Sequence, residues 1–177
     1  MRQQATSTLG EALRNVPGIT IAIGEGGTVA GDQFRIRGFD AKDDVYLDGL
    51  RDFAAYTRDS FNYEEVQVLK GPSAFLNGVS PSGAVGGNIN LISKRATDQP
   101  ITRLSTADAS SSVLAINADI ARRFGEDHAF GIRVNAGARQ GDTARDYLGG
   151  QTRNVSVGLD FQSSRLRASV DLIHQKQ

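Results

Sequence analysis

YEEVQVLKGPSAFLNGVSPSGAVGGNIN, residues Tyr63 to Asn90, switches pattern twice within 28 residues. Val66 and Val68 alternate with polar Glu65 and Gln67, a period of two that reads as a strand, and the run breaks at Lys70-Gly71-Pro72. Pro72 is preset for a first helical position, and Gly78 stands where the end of one helical turn needs a residue tolerant of positive φ. Three glycines between Gly83 and Gly87 then lead into a second alternating run, Asn88 to Lys94. The predicted order is strand, tight turn, short helix, glycine loop, strand. A phosphate cradle is the first thought for such glycines, but Lys70 precedes them and no Gly-Lys-Ser/Thr follows.

On the N-terminal side, Thr8 and Glu11 have the spacing of a capping box, and Leu9, Ala12, Leu13 and Val16 recur at i, i+3, i+4 and i+7. This predicts a short amphipathic helix stopped by Pro17-Gly18. Ile19 to Ile23 reads as a strand, followed by the loop Gly24-Glu25-Gly26-Gly27. Gln33 to Arg37 reads as another, with Phe34 and Ile36 on one face and Arg35 and Arg37 on the other. Asp44 to Leu47 forms a third, ending in the turn Asp48-Gly49, and Arg51 to Phe61 is expected to be a polar, aromatic-bearing loop. These elements predict a small mixed α/β domain over residues 1–96, with Thr97 to Pro100 as the boundary.

Beyond Pro100 the pattern turns to strict period two. Leu114, Ile116, Ala118 and Ile120 share a face, and after the turn at Gly125 so do Phe130, Ile132, Val134, Ala136 and Ala138. A polar loop, Gly141 to Gly150, intervenes. Val155, Val157, Leu159 and Phe161 follow, then a Ser163-Ser164 turn, then Leu166, Ala168, Val170 and Leu172. With a weaker strand at Ile101 to Ala107, about five antiparallel strands are predicted over residues 101–177. The alternation alone fits two architectures equally: a soluble sheet with one face in a core, or part of an outer-membrane barrel with the apolar face on lipid. Three details favour the barrel. Connections alternate short and long, each repeat approaches the roughly 9 to 11 residues a tilted membrane strand needs, and Phe124, Phe130 and Phe161 flank the short turns where an aromatic girdle would sit.

Composition narrows the function classes. The 20 basic and 20 acidic residues cancel, and residues 1–100 carry 10 basic against 12 acidic side chains, so no basic arm points to nucleic acid. There is no cysteine, which removes disulfides, thiol catalysis and cysteine metal sites. The longest aliphatic run, Val113 to Ile116, is far below the roughly 20 residues of a membrane helix. The N-terminal MRQQATSTLG has no apolar signal-peptide core. His128 and His174 stand alone, and neither a nucleophile elbow nor H-E-x-x-H occurs, so no enzyme is expected. Asp40, Asp43, Asp44 and Asp48 lack the order and closing Glu of a calcium loop and read as turn formers.

Four pieces in order carry a resemblance: Leu9-Gly10-Glu11-Ala12-Leu13 to Pro17-Gly18-Ile19, Phe34-Arg35-Ile36-Arg37-Gly38-Phe39, Val45-Tyr46-Leu47-Asp48-Gly49-Leu50-Arg51, and Glu65 to Ala74 through Gly86-Gly87-Asn88-Ile89-Asn90. Together they resemble the plug domain of TonB-dependent outer-membrane receptors of the ferric siderophore type. The resemblance implies an α+β plug, a small mixed sheet with short helices, followed by about five antiparallel strands of an incomplete transmembrane β-barrel of roughly 22 strands. It implies location in the outer membrane of a Gram-negative bacterium, contact with outer-membrane lipid, a ferric siderophore as ligand, no enzymatic cofactor, and a TonB-type energising partner whose box is missing here. It also assigns residues. Arg37 and Lys70 match the family's basic pair that locks the plug against barrel glutamates, and outward plug loops would offer Glu25, Lys42, Asp43, Phe53, Tyr56 and Arg58 to the ligand. The alternatives are a soluble plug-like binding module without transport and a receptor for another nutrient, such as cobalamin or a glycan.

Overall fold

The computed structural model describes residues 8–23, 33–52, 58–72, 85–109, 113–142 and 149–176. The chain divides into two compact units, Met1–Ser93 and Lys94–Gln177.

The first unit opens on helix α1, Leu9–Leu13. Its capping box is complete: the Glu11 N–H donates to Thr8 Oγ1 at 3.2 Å and the Thr8 N–H to Glu11 Oε2 at 3.3 Å. Two of the four backbone donors that a helix start leaves unpaired are thereby satisfied, which sustains a helix too short to persist alone. Strands β1 (Ile19–Ile23), β2 (Gln33–Ile36) and β3 (Phe39–Asp40) form an antiparallel sheet in that order. A second sheet has the order β5-β4-β7-β6, built from β4 (Val45–Leu47), β5 (Leu50–Arg51), β6 (Tyr63–Lys70) and β7 (Gly87–Ser93). Here β4 and β7 run parallel, and the other pairs are antiparallel.

The core of this unit is apolar in the ordinary sense. Leu9, Phe34, Ile36, Ile89 and Leu91 are fully buried and pack with Leu13, Val45 and Tyr63. The period-two reading of β2 holds, since Phe34 and Ile36 are buried and Arg35 is exposed. Two boundaries move. Arg37 leaves the strand for a two-residue turn with Gly38, both at positive φ (54° and 88°). Arg51, expected at the start of a loop, pairs with Tyr46, as Leu50 does with Leu47, across the turn Asp48-Gly49, also at positive φ in both positions. Turns of this hand match strand twist, so both connections close as hairpins. The predicted helical turn after Pro72 lies outside the described residues.

The second unit is one open sheet, β8 (Ile101–Ala109), β9 (Val113–Phe124), β10 (Phe130–Asp142), β11 (Gly149–Gln162) and β12 (Arg167–Lys176), each antiparallel to the next. The loop expected over 141–150 narrows because β10 and β11 pair as far as Asp142 with Gly149. Leu166 falls in the turn, where its carbonyl accepts from the Ser163 N–H. The faces are inverted relative to a soluble sheet. Leu114, Leu172 and Leu104 are 63%, 63% and 70% exposed, while Arg133, Asn135 and Asp119 are 1%, 1% and 2% exposed. Among the described residues no helix is long and apolar enough to cross a membrane.

Candidate functional site

The opening stretch brings Arg37 and Lys70 together. Lys70 is the last residue of β6 and pairs with Gly87, and the Gly71 N–H donates to the Gly86 carbonyl at 2.8 Å. Gly87 has φ 133°, and a Cβ there would run into the Leu69 carbonyl, so only glycine lets β7 begin this close to β6. Arg37 is held from the other side. Its N–H donates to the Gly18 carbonyl at 2.7 Å, and its side chain extends over Gly18 and onto Gly71. A Cβ added at Gly71 would lie 3.9 Å from Arg37 Nη1, which puts the guanidinium beside the residue that follows Lys70.

Both cations are exposed. Among the described residues, no salt bridge reaches either of them. A left-handed backbone is uncommon for arginine and persists where the surroundings hold it, as the Gly18 bond does here. The arrangement sets the Arg37 guanidinium against the Gly71 turn that follows Lys70, and exposed guanidinium and ammonium groups are suited to receiving carboxylates.

The expected ligand loops are only partly within the described residues. Glu25, Phe53 and Tyr56 lie outside them. Lys42 is exposed, and its N–H donates to Asp40 Oδ1 at 3.0 Å. Asp43 is half-buried, and its carbonyl accepts from Arg51 Nε at 2.8 Å. This loop is at the open end of the β2–β3 hairpin, where the Ala41 N–H donates to the Phe34 carbonyl, so it is at the other end from Arg37.

Arg58 is placed differently from an open, ligand-facing charge. It is 3% exposed, and Nε and Nη2 both donate to Asp52 Oδ2, at 3.1 and 2.9 Å. Its carbonyl accepts from the Leu9 N–H, tying the 58–59 segment to the start of α1. The charge that the sequence offered to a ligand is already committed to Asp52.

In the second unit the buried polar face carries residues to which the sequence assigned no role. Arg133 donates to both carboxylate oxygens of Asp119, at 2.9 and 2.8 Å, and Lys94 Nζ lies 3.5 Å from the same carboxylate. Arg123 donates to Asp160 at 2.6 Å. A signal existed in the pattern. Arginines and aspartates sit on the face opposite the apolar one, and opposite signs fall on neighbouring strands once the register is known. On the other face, Phe130 pairs with both Phe124 and Phe161, with the Phe130 and Phe161 ring centroids 4.9 Å apart, so the three predicted girdle aromatics form one row.

A glycine-braced α+β unit, continuous with a sheet whose apolar side is exposed and whose polar side is buried, defines the class of plug-bearing β-barrel proteins. The family model for the TonB-dependent Receptor Plug Domain matches residues 1–87. The ferrichrome receptor FcuA of Yersinia enterocolitica is 37% identical over 182 residues, taking in 100% of this chain and 24% of the relative. The catecholate siderophore receptor Fiu of Escherichia coli K12 is 34% identical over 169 residues, 91% of this chain and 21% of the relative. Among solved structures, BauA, the ferric preacinetobactin receptor of Acinetobacter baumannii, superposes with a TM-score of 0.87 at 34% identity, covering 98% of this chain and 26% of that one.

The chain belongs to the TonB-dependent receptors and is homologous to those of the siderophore type. It spans about a quarter of the length of the curated relatives it matches. Those relatives are receptors rather than enzymes, and the family is one of outer-membrane proteins of Gram-negative bacteria.

Proposed function

We propose that the chain contributes the plug and the first barrel strands of a receptor that takes up a ferric siderophore across the outer membrane. The observation that carries the reading is the inverted sheet following a plug fold. Leu114, Ile116, Ile120, Val155, Leu159, Val170 and Leu172 present an exposed apolar surface, which costs free energy in water and none against lipid. The polar face belongs to the barrel interior, and the open edges of β8 and β12 are where a barrel would continue.

In this reading the plug gates the barrel. Arg37 and Lys70 hold it shut by pairing with carboxylates on later strands, and an energising partner of the TonB type releases that hold from the periplasm. Lys42 and Asp43, with Glu25, Phe53 and Tyr56, form the outward surface that meets the chelate, and Arg58 is paired with Asp52. Iron is cargo here, carried within its chelate.

The names of the relatives span ferrichrome, catecholate and preacinetobactin receptors, so the chelate class is to be measured. Calorimetry of the full-length product in detergent micelles against ferric tris-catecholate and ferric tris-hydroxamate chelates is expected to show tight binding of one. Binding of neither overturns the siderophore reading. Replacing Arg37 and Lys70 together by Ala is expected to leave the melting temperature unchanged and to lower ferric-chelate uptake at least fivefold. Unchanged uptake removes the pair from the gate.

A further inference from the structure

The residues immediately past Ser93 are bonded to the sheet of the second unit. The register sets out three polar rows across β9 to β12. Asp119 faces Asn135 in the first, Ala121, Arg133, Gly158 and Asp171 form the second, and Arg123, Gly131, Asp160 and Ser169 form the third. Lys94, Arg95 and Ala96 run over these rows. Lys94 Nζ reaches the first row, donating to Asn135 Oδ1 at 3.1 Å beside the Asp119 carboxylate. The Arg95 carbonyl accepts from Arg133 Nη1 at 2.8 Å in the second row, where the Arg95 guanidinium also pairs with Asp171. The Ala96 carbonyl accepts from Arg123 Nη1 at 3.0 Å in the third.

The small residues make the bed for this crossing. A Cβ at Gly158 would lie 2.9 Å from the Lys94 carbonyl, closer than a side chain can approach without displacing the backbone. Neighbouring strands are about 4.8 Å apart, so β9 to β12 span about 14 Å, and three extended residues cover about 10 Å. The long side chains of Lys94 and Arg95 supply the remainder, reaching Asp119 on β9 and Asp171 on β12, while the carbonyls of Arg95 and Ala96 meet Arg133 of β10 and Arg123 of β9. Each charge in the set has an opposite partner, and such buried groups are held firmly while the set is complete.

We propose that Lys94, Arg95 and Ala96 are a fixed anchor: the chain stays clamped to β9–β12 while residues before Lys94 rearrange, so that the pivot of the gate is Ser93 and not the exposed Thr97–Pro100 segment. Asp119, Arg123, Arg133 and Asp171 act as positioning residues for it. This rests on the gating reading for its consequence and on the second unit alone for its geometry.

A nitroxide placed at exposed Thr97 of the full-length product in outer-membrane vesicles reads the clamp directly. The spectrum is expected to be immobilised, and to remain so when a ferric tris-catecholate or tris-hydroxamate chelate and the energised inner membrane are supplied. Arg133→Gln or Asp171→Asn is expected to mobilise it, and exchanging the charges of the second pair, Arg95→Glu with Asp171→Lys, to restore it. A wild-type spectrum as mobile as those of the single variants overturns the anchor.

A second arm joins Arg95→Cys to Asp171→Cys with a short reducible crosslinker. Uptake within twofold of the unbridged protein is expected, whereas loss that a reductant restores shows the segment must detach and overturns the pivot. Failure of the wild-type protein to take up either chelate counts against the receptor reading, and the Thr97 spectra still decide the anchor.

Discussion

The two units bury opposite kinds of surface with the same alternating backbone. In the first, Phe34, Ile36, Ile89 and Leu91 go inward and Arg35 stays outside. In the second, Arg133, Asn135 and Asp119 are buried and Leu114, Ile116 and Leu172 are exposed. Strand periodicity fixes only that alternate residues share a face. Which face turns inward is set by the medium beyond the sheet, and in the proposed receptor the medium beyond the second unit is hydrocarbon. A sheet that discards its apolar face to the outside is stable only where that outside is lipid.

The largest expected effect breaks the ordinary half of this contrast. Phe34→Ala removes the largest fully buried apolar side chain among the described residues of the first unit and is expected to cost about 3–5 kcal/mol. Denaturant unfolding followed by a probe confined to the first unit checks it. In the second unit the equivalent damage comes from a polar change. Arg133→Ala strands the Asp119 carboxylate and is expected to cost about 3 kcal/mol, because loss of one partner of a buried pair leaves a desolvated charge. Lys94 beside the same carboxylate limits the loss, so adding Lys94→Met should deepen it, and adding Asp119→Asn to that pair of changes should recover most of it.

The outward face gives a sharper test of the medium. Val155→Arg, near the middle of β11, is expected to cost about 2–4 kcal/mol in a bilayer. It should leave the solubility of the unfolded chain unharmed or improved, and folding into liposomes against urea reads the difference. A penalty of that size is not expected for a basic substitution on a water-facing strand. The smallest effect is local to α1. Thr8→Ala removes the capping acceptor and is expected to lower the stability of the first unit by about 1 kcal/mol, visible as a small shift in its melting temperature.

Much of the first unit is legible in its residues because its signals are local. The Thr8–Glu11 box, the Phe34 and Ile36 face, and the Asp48-Gly49 turn each need only neighbours in sequence, and each is where the chain predicted it. Arg37 and Lys70 were singled out through a motif, and the structure adds that they are adjacent, because Gly18, Gly71 and Gly86-Gly87 let three segments approach one another. Arg58 shows the limit of such reading. As a charge in a polar loop it was offered to a ligand, while Asp52, six residues away, takes both of the guanidinium donors that face it. A sequence cannot tell an offered charge from a committed one when the partner is equally polar and equally near.

The second unit divides the same way. Five alternating strands and the aromatic row at the short turns are legible from the residues alone, since periodicity and turn residues are properties of a short window. Only the tertiary structure decided that Asp119, Arg133, Asp171 and Arg123 act together, and that Lys94 to Ala96 belong with the sheet rather than with the domain before them. Those contacts join residues from 14 to 76 positions apart. They depend on strand register, and a register shifted by one residue would turn every one of these charges to the opposite face.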